Sequence, residues 1–301
     1  MGGAEISPST HPYFIFEEIF PGFRQGYEVK EVIFEGRSSY QEIRVVETKL
    51  FGRMMLLDGA VQVSERDEFV YHEMLVYPSL LSLPASNDVL VIGGGDGGTL
   101  KHVLSYRNVK RVVMVEVDPL VVEVSRKYLP SISGGVFDDE RVTLVFQNGM
   151  DFIRGCEGRF DLIIVDSTDP VGEAEILFSE EFYSFCEKVL SESGIVVTQS
   201  GSPYFQIEEL RMTRGRMGKF FPIVRTYLAS ILVYPGVLWS FTIGSKKVDP
   251  STYPLPMLQE KIEWIVPAPR YYTPDVHIAS FKIPRIIEEA LERGEGSGLP
   301  F

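Results

Sequence analysis

From Tyr27 to Ser64, apolar and polar residues alternate in short runs (YEVKEVIFE, YQEIRVVET, MMLLDG, AVQVS) broken by GRSS and FGR. A period of two predicts short antiparallel strands, and Asp58-Gly59 supplies a hairpin turn. Residues 1–26 contain Pro8, Pro12, Pro21 and several aromatics, and they predict a packed irregular extension. Beyond the strands the period lengthens. Ser64 is placed to cap a helix with Asp67 as its capping-box acid, and ERDEFVYHEMLVY continues helically until Pro78 kinks or stops it. LSLPASND then links to a region where short, wholly apolar runs alternate with helical stretches. The runs VLVIG, RVVMVEVD, RVTLVFQNG, FDLIIVD and GIVVTQSG predict buried parallel strands. SEEFYSFCEKVL predicts a helix opening on acids. A basic helix over 206–220 follows, then two antiparallel strands around Tyr234-Pro235-Gly236, a helix near 284–293 and a frayed GEGSGLPF tail. The pattern divides the chain into residues 1–83, a small β domain with its extension and connecting helix, and residues 84–301, a larger α/β domain.

The larger domain is organised by residues 88–118, which read as strand, glycine turn, helix and strand, the opening unit of a Rossmann-like doubly wound sheet. Gly93, Gly95 and Gly98 fit the G-x-G-x-x-G spacing, and Glu116 lies where an acid grips ribose hydroxyls. Spacing alone therefore permits a nicotinamide cofactor. Asp96 argues otherwise, because a carboxylate inside that turn repels a pyrophosphate and attracts a cation. A sulfonium nucleoside of the S-adenosylmethionine type keeps the ribose and replaces the phosphates with positive charge. Ligands of such sheets bind outside the carboxyl ends of the strands. There the sequence places Asp96, Glu116, Asp118, Asn148, Asp166 and Asp169, with no base among them.

Composition narrows the picture. The 301 residues carry a formal charge of −13, which disfavours nucleic acid and suits cationic ligands. The apolar runs are far too short for a membrane span and the N-terminus lacks a signal pattern, so a cytoplasmic protein is expected. Cys156 and Cys186 are the two cysteines, expected as reduced thiols. His11, His72, His102 and His277 form no metal motif. Asp166 and Asp169, three residues apart before Pro170, read as a proton acceptor and an ammonium anchor. Paired acids alone do not fix a metal cage. The stretch PVGEAEILF that follows reads as a mobile lid hinged at Gly172.

ERDEFVYHEM at 65–74, GGGDGG at 93–98, VEVD at 115–118 and DSTDPVG at 166–172 together resemble the polyamine aminopropyltransferases, the spermidine synthase family. The resemblance runs from about Gln41 to YYTPDVHIASFKIP. It implies a class I methyltransferase-type sheet behind a small N-terminal antiparallel β domain. It also implies an enzyme that moves the aminopropyl group of decarboxylated S-adenosylmethionine to an amine, putrescine by default, giving spermidine and methylthioadenosine. Gln41, Glu116, Asn148 and Gly149 would hold the nucleoside, and Asp96 an ammonium end of the aminopropyl or polyamine chain. Asp166 would accept the proton, with Tyr71 and Asp169 as further catalytic candidates. Gln62, Tyr71, His72, Asp169 and Tyr234 would line the acceptor channel. No metal or cofactor is implied, since the donor is a co-substrate, and a homodimer or homotetramer is expected. Three positions depart from the family pattern: Asn148 stands where Asp is common, Glu173 where Pro is common, and Tyr77-Pro78-Ser79-Leu80 follows the YHEM motif. These bear on acceptor choice and lid behaviour more than on reaction type, and agmatine, cadaverine or a triamine stay open as alternative acceptors.

The chemistry constrains where the acids belong. In a displacement at carbon, positive charge leaves sulfur and appears on the attacking nitrogen. A carboxylate by the nitrogen favours the transition state, whereas one by the sulfur favours the reactant. Asp166 is therefore expected by the nitrogen and Asp96 by the distal ammonium. Asp96 is also expected to discriminate against the donor's carboxylated parent, since two like charges about 4 Å apart repel by roughly 4 kcal/mol at an effective dielectric near 20. Deprotonating an alkyl ammonium needs help, for which Tyr71 and Asp166 are the candidate acceptors. An ordinary S-adenosylmethionine methyltransferase, a nicotinamide dehydrogenase and a non-catalytic polyamine-binding module are the competing readings.

Overall fold

The structure, a computed structural model, describes residues 13–20, 22–169 and 172–293. The expected frayed tail at 294–301 lies outside the described residues. The chain divides into two units, 1–66 and 67–301.

Among the described residues of the first unit, one antiparallel sheet runs in sequence order: β1 (Tyr13–Phe20), β2 (Phe23–Arg37), β3 (Glu42–Thr48), β4 (Gly52–Leu57) and β5 (Ala60–Ser64). The extension expected to be irregular is thus partly strand, with Tyr13 opposite Val29 and Phe16 opposite Gly26. The aromatic and β-branched run YFIFEEIF favours a pleated surface, and Gly22, at φ 88°, turns it back onto β2. On β3, Ile43 and Val45 are fully buried, the inward positions that a period of two requires.

The second unit begins with α1 (Glu68–Leu80). Two expectations fail here. The helix starts four residues after Ser64, and Asp67 at its N-cap makes no capping bond. The Asp67 carboxylate instead accepts from the Val233 amide at 3.2 Å. Nor does Pro78 end the helix, which continues to Leu80. Proline denies a hydrogen bond to the carbonyl four residues back, here Met74, and the buried Tyr227 hydroxyl donates to that oxygen at 2.7 Å. The boundary also falls earlier than expected. α1 packs on the sheet of the second unit and on its first following helix, so it belongs to that unit and not to the β domain.

The elements that follow are β6 (Asp88–Gly93), α2 (Gly98–Ser105), β7 (Arg111–Glu116), α3 (Pro119–Tyr128), α4 (Pro130–Ser133), β8 (Val142–Phe146) and α5 (Gly149–Arg154). Then come β9 (Phe160–Asp166), α6 (Glu180–Val189), β10 (Leu190–Gln199), α7 (Ile207–Met217), β11 (Ile223–Ser230) and β12 (Leu238–Ser245). α8 (Leu255–Ile262), α9 (Pro274–Ser280) and α10 (Arg285–Glu292) complete the chain. The sheet order is β11-β12-β10-β9-β6-β7-β8. β6 to β10 pair in parallel, and β12 is antiparallel to both neighbours. This is the expected Rossmann-like sheet with its late antiparallel pair. The order reverses at β6, so β6, β7 and β9 open a crevice at their carboxyl ends. Val89–Ile92 and Leu162–Val165 are buried on both faces, as continuous apolar strands must be. α8 and α9 were not anticipated. The turn between them is fixed by the buried Glu73 carboxylate, which accepts from the backbone amides of Arg270, Tyr271 and Tyr272 at 2.7–2.8 Å.

Candidate functional site

At the end of β6 the backbone turns sharply past β9. Gly93 lies opposite Asp166 at φ 84°, and the Gly94 amide donates to the Asp166 carbonyl at 2.8 Å. A Cβ on Gly94 would lie 3.1 Å from Asp166 Oδ2, and one on Gly95 would lie 3.0 Å from Glu116 Oε2. Two carboxylates, from β9 and β7, therefore flank consecutive glycines of the turn.

Tyr71 projects from α1 and donates to Asp166 Oδ1 at 2.7 Å. Its ring meets Tyr234 edge-on at 5.4 Å, and Tyr234 packs on Trp239 at 4.6 Å. Burial pushes the Asp166 carboxyl above its ordinary range and Asp96 adds to this, while His72, Thr99 and Tyr71 oppose it. Burial and the Asp166 charge raise the Tyr71 phenol well above its usual value, so it remains a neutral donor. The Tyr234 hydroxyl is raised by burial, then by Asp166, Asp96, Asp67 and Asp169.

Asp96 accepts from the Gly98 amide through Oδ1 at 2.7 Å. Its Oδ2 lies 3.5 Å from His72 Nε2. Asp169 is held by amides on both oxygens, from Gln199 Nε2 at 3.2 Å and Gln206 Nε2 at 2.7 Å, and burial raises its carboxyl despite them. Glu116 accepts from the Asp118 amide at 2.9 Å, and burial lifts it to about 7. Asp118, buried, caps α3 through the Leu120 amide. Asn148 caps α5 by accepting from Met150 N at 2.9 Å. A cavity of about 310 Å³ lies beside it, lined by Asp151, Arg154, Gly172 and Ile176 among others. Gly149 begins α5 where a Cβ would strike Ile92 at 2.5 Å.

The structure thus brings Tyr71, His72, Asp96, Asp166 and Tyr234 together, with Glu116, Asn148, Gly149 and Asp169 at neighbouring strand ends. Gln41 precedes β3 and Gln62 lies within β5, both in the first unit and both half-buried. Of the expected lid, Pro170, Val171 and the Glu173 side chain lie outside the described residues, while Gly172–Phe178 forms a 3₁₀ turn.

Sequence reasoning missed the groups that hold the acids. Glu68 is buried and bonded to His72 Nδ1 at 2.8 Å, a pairing that the i, i+4 spacing on one helix could have revealed. Gln199 and Gln206 carry no such signal. Glu68, His72 and His102 offer ligand atoms within 4.8 Å of one another. Lys101 Nζ already neutralises Glu68 at 2.7 Å, and a divalent ion there would face that ammonium.

Residues 68–253 match the family described as the spermine/spermidine synthase domain, and residues 13–65 the one described as the spermidine synthase tetramerisation domain. A polyamine aminopropyltransferase of Pseudomonas aeruginosa is 41% identical over 275 residues, covering 91% of this chain and 96% of that protein. One from Desulforudis audaxviator is 42% identical over 267 residues, 89% of this chain and 94% of the relative. Two spermidine synthase crystal structures superpose closely. One, in complex with the transition state analogue AdoDATO, has a TM-score of 0.89 at 38% identity, covering 96% of this chain and 98% of that one. The other, from Thermotoga maritima, has a TM-score of 0.87 at 36% identity, covering 96% and 97%.

Proposed function

This chain belongs to the spermine/spermidine synthase family and is an aminopropyltransferase, and from that premise we propose that it joins decarboxylated S-adenosylmethionine to putrescine. The products are spermidine and methylthioadenosine. One observation carries the reading: Asp96, Asp166 and Asp169 stand at the adjoining ends of β6 and β9, with Asp166 bonded to the Tyr71 hydroxyl at 2.7 Å and Asp96 facing His72 at 3.5 Å. A cleft so lined recognises amines at both ends of the reaction. A solved relative in complex with AdoDATO supports the nucleoside half of the same reading.

In this mechanism a neutral acceptor nitrogen attacks the carbon beside the sulfonium. A C–N bond forms, the C–S bond breaks with its electron pair going to sulfur, and the nitrogen loses a proton to Asp166. Tyr71 occupies Asp166 Oδ1 as a donor, which aims the carboxylate and leaves Oδ2 beside the glycine turn for the nitrogen. The amide-held Asp169 anchors the far ammonium of the acceptor, and Asp96 that of the aminopropyl arm. Glu116 takes the ribose hydroxyls. Asn148, Gly149 and the cavity beside them take the base. No metal or cofactor enters this scheme. The match of the first unit to a tetramerisation domain supports a homo-oligomer, in this reading a homotetramer, and we place it in the cytoplasm.

The decisive experiment is product analysis with purified protein, decarboxylated donor and an equimolar mixture of putrescine, cadaverine, agmatine and spermidine. Spermidine and methylthioadenosine are expected in equal amounts. S-adenosylhomocysteine from the carboxylated donor would mark a methyltransferase instead, and amine binding without product a binding module.

Glu116 gives a pH test of the nucleoside half. Ribose hydroxyls donate to the ionised carboxylate, and burial holds this group near 7. Below that pH it is protonated and accepts less well. Methylthioadenosine affinity is therefore expected to rise about tenfold from pH 6 to pH 8. In Glu116→Gln, binding should be weaker and flat with pH. A wild-type profile equally flat by calorimetry would remove Glu116 from ribose binding.

A further inference from the structure

Behind Asp96 lies a buried charged relay that the displacement above does not use. Glu68 accepts from His72 Nδ1 at 2.8 Å, which fixes the ring, and the ring abuts Gly98 so closely that a Cβ there would lie 2.1 Å from it. His72 is 1% exposed. Its Nε2 has no hydrogen-bond partner and points toward Asp96 Oδ2 at 3.5 Å. A carboxylate that orients one imidazole nitrogen leaves the other to take or release a proton toward the site.

The charged groups around this ring come from every packed element. Glu68 lies on its own helix, Asp96 in the turn after β6, Lys101 and His102 on α2, and Asp166 at the end of β9. Burial alone would make His72 neutral, but Asp96 and Glu68 outweigh it and hold the ring protonated up to about 10. His102 is pulled down by burial, so the relay holds one imidazolium. Asp96 thus already faces a cation. A ligand ammonium arriving at Asp96 meets like charge at short range.

We propose that Glu68 is a positioning residue that turns His72 into an exchangeable cation: His72 neutralises Asp96 while the cleft is empty and yields its Nε2 proton to water when a polyamine ammonium takes its place. Glu68 keeps the Nδ1 proton throughout. The exchange swaps one positive charge for another, so the half-buried Asp96 is never left uncompensated. It leaves the Nε2 lone pair as a hydrogen-bond acceptor for the incoming ammonium. The inference rests on the proposed placement of an ammonium at Asp96.

The test measures protons. Spermidine and decarboxylated S-adenosylmethionine, the two ligands that carry the aminopropyl ammonium, are titrated into the wild-type protein by calorimetry, in buffers of different ionisation enthalpy, between pH 7 and 9. About one proton should be released per amine bound, with affinity rising about tenfold per pH unit over that window. His72→Gln and Glu68→Gln should release close to none and show a flat profile, the second because glutamine still accepts from Nδ1 but lacks the charge. Methylthioadenosine binding and thermal melts check that each variant is folded. In parallel, imidazole nitrogen shifts of the wild type should show His72 protonated alone and neutral with amine bound, whatever the variants do. Amine binding with no proton release, or with the same release from His72→Gln, overturns the exchange and leaves the proposed function standing. Failure of both amines to bind the wild type overturns both.

Discussion

Asp166→Asn should lower kcat for methylthioadenosine release by about 10³-fold, within the range that general base groups supply. The substitution is nearly isosteric, and the asparagine oxygen still accepts from the Tyr71 hydroxyl, so the site geometry survives while the proton acceptor is lost. Nucleoside affinity should be unchanged. The melting temperature should hold or rise, because a buried carboxyl pushed up by burial and by Asp96 is relieved on neutralisation. Tyr71→Phe removes only the aiming bond and should cost about tenfold, the scale of one hydrogen bond to a charged group. A loss in Asp166→Asn no greater than that in Tyr71→Phe would show that Asp166 orients the amine and does not take its proton.

The second large effect is expected from Gly93→Ala. The residue sits at φ 84°, where an L side chain is strained by roughly 1–2 kcal/mol. Its Cβ would also lie 2.0 Å from the Asp166 carbonyl oxygen. That neighbour is backbone in the central strand and cannot swing aside, so crowding adds about 1–3 kcal/mol. Together these predict a fall in melting temperature of about 10 °C for a unit of this size. Activity should fall further than stability, since Asp166 itself must shift and a misplacement of about 1 Å costs on the order of 10²-fold. Gly59→Ala separates the two terms. Gly59 has φ 84° with nothing within 4 Å of its Cβ position, so only the strain applies there. If thermal melts show Gly93→Ala no worse than Gly59→Ala, the β6–β9 crossing tolerates far more slack than the distances imply.

Much of this was legible in the chain because the signals were local and redundant. The parallel strands read from their apolar runs, and the acids read as strand ends. Tyr71 and His72 read only through the resemblance. The misreadings share a cause: a distant group overrode a local rule. Pro78 stays helical because Tyr227, from β11, serves the carbonyl that proline strands. Asp67 does not cap because Val233 takes its carboxylate. β1 was hidden among prolines, and α1 was grouped with the β domain only because its packing partners lie much later in the sequence. Gln199 and Gln206, which hold Asp169, sit in stretches with no motif, where nothing but the closed fold brings them to the acid.

The glycines of the first turn carry a lesson for reading such fingerprints. Gly93 is small because a neighbouring strand passes, Gly95 because Val121 and Glu116 press on it, and Gly98 because an imidazole lies against it. All three demands are internal to the polypeptide. A spacing usually credited to a diphosphate is thus reproduced by crowding within the polypeptide itself, and the letter between the glycines, the carboxylate of Asp96, is what sets this turn apart from one built for an anion.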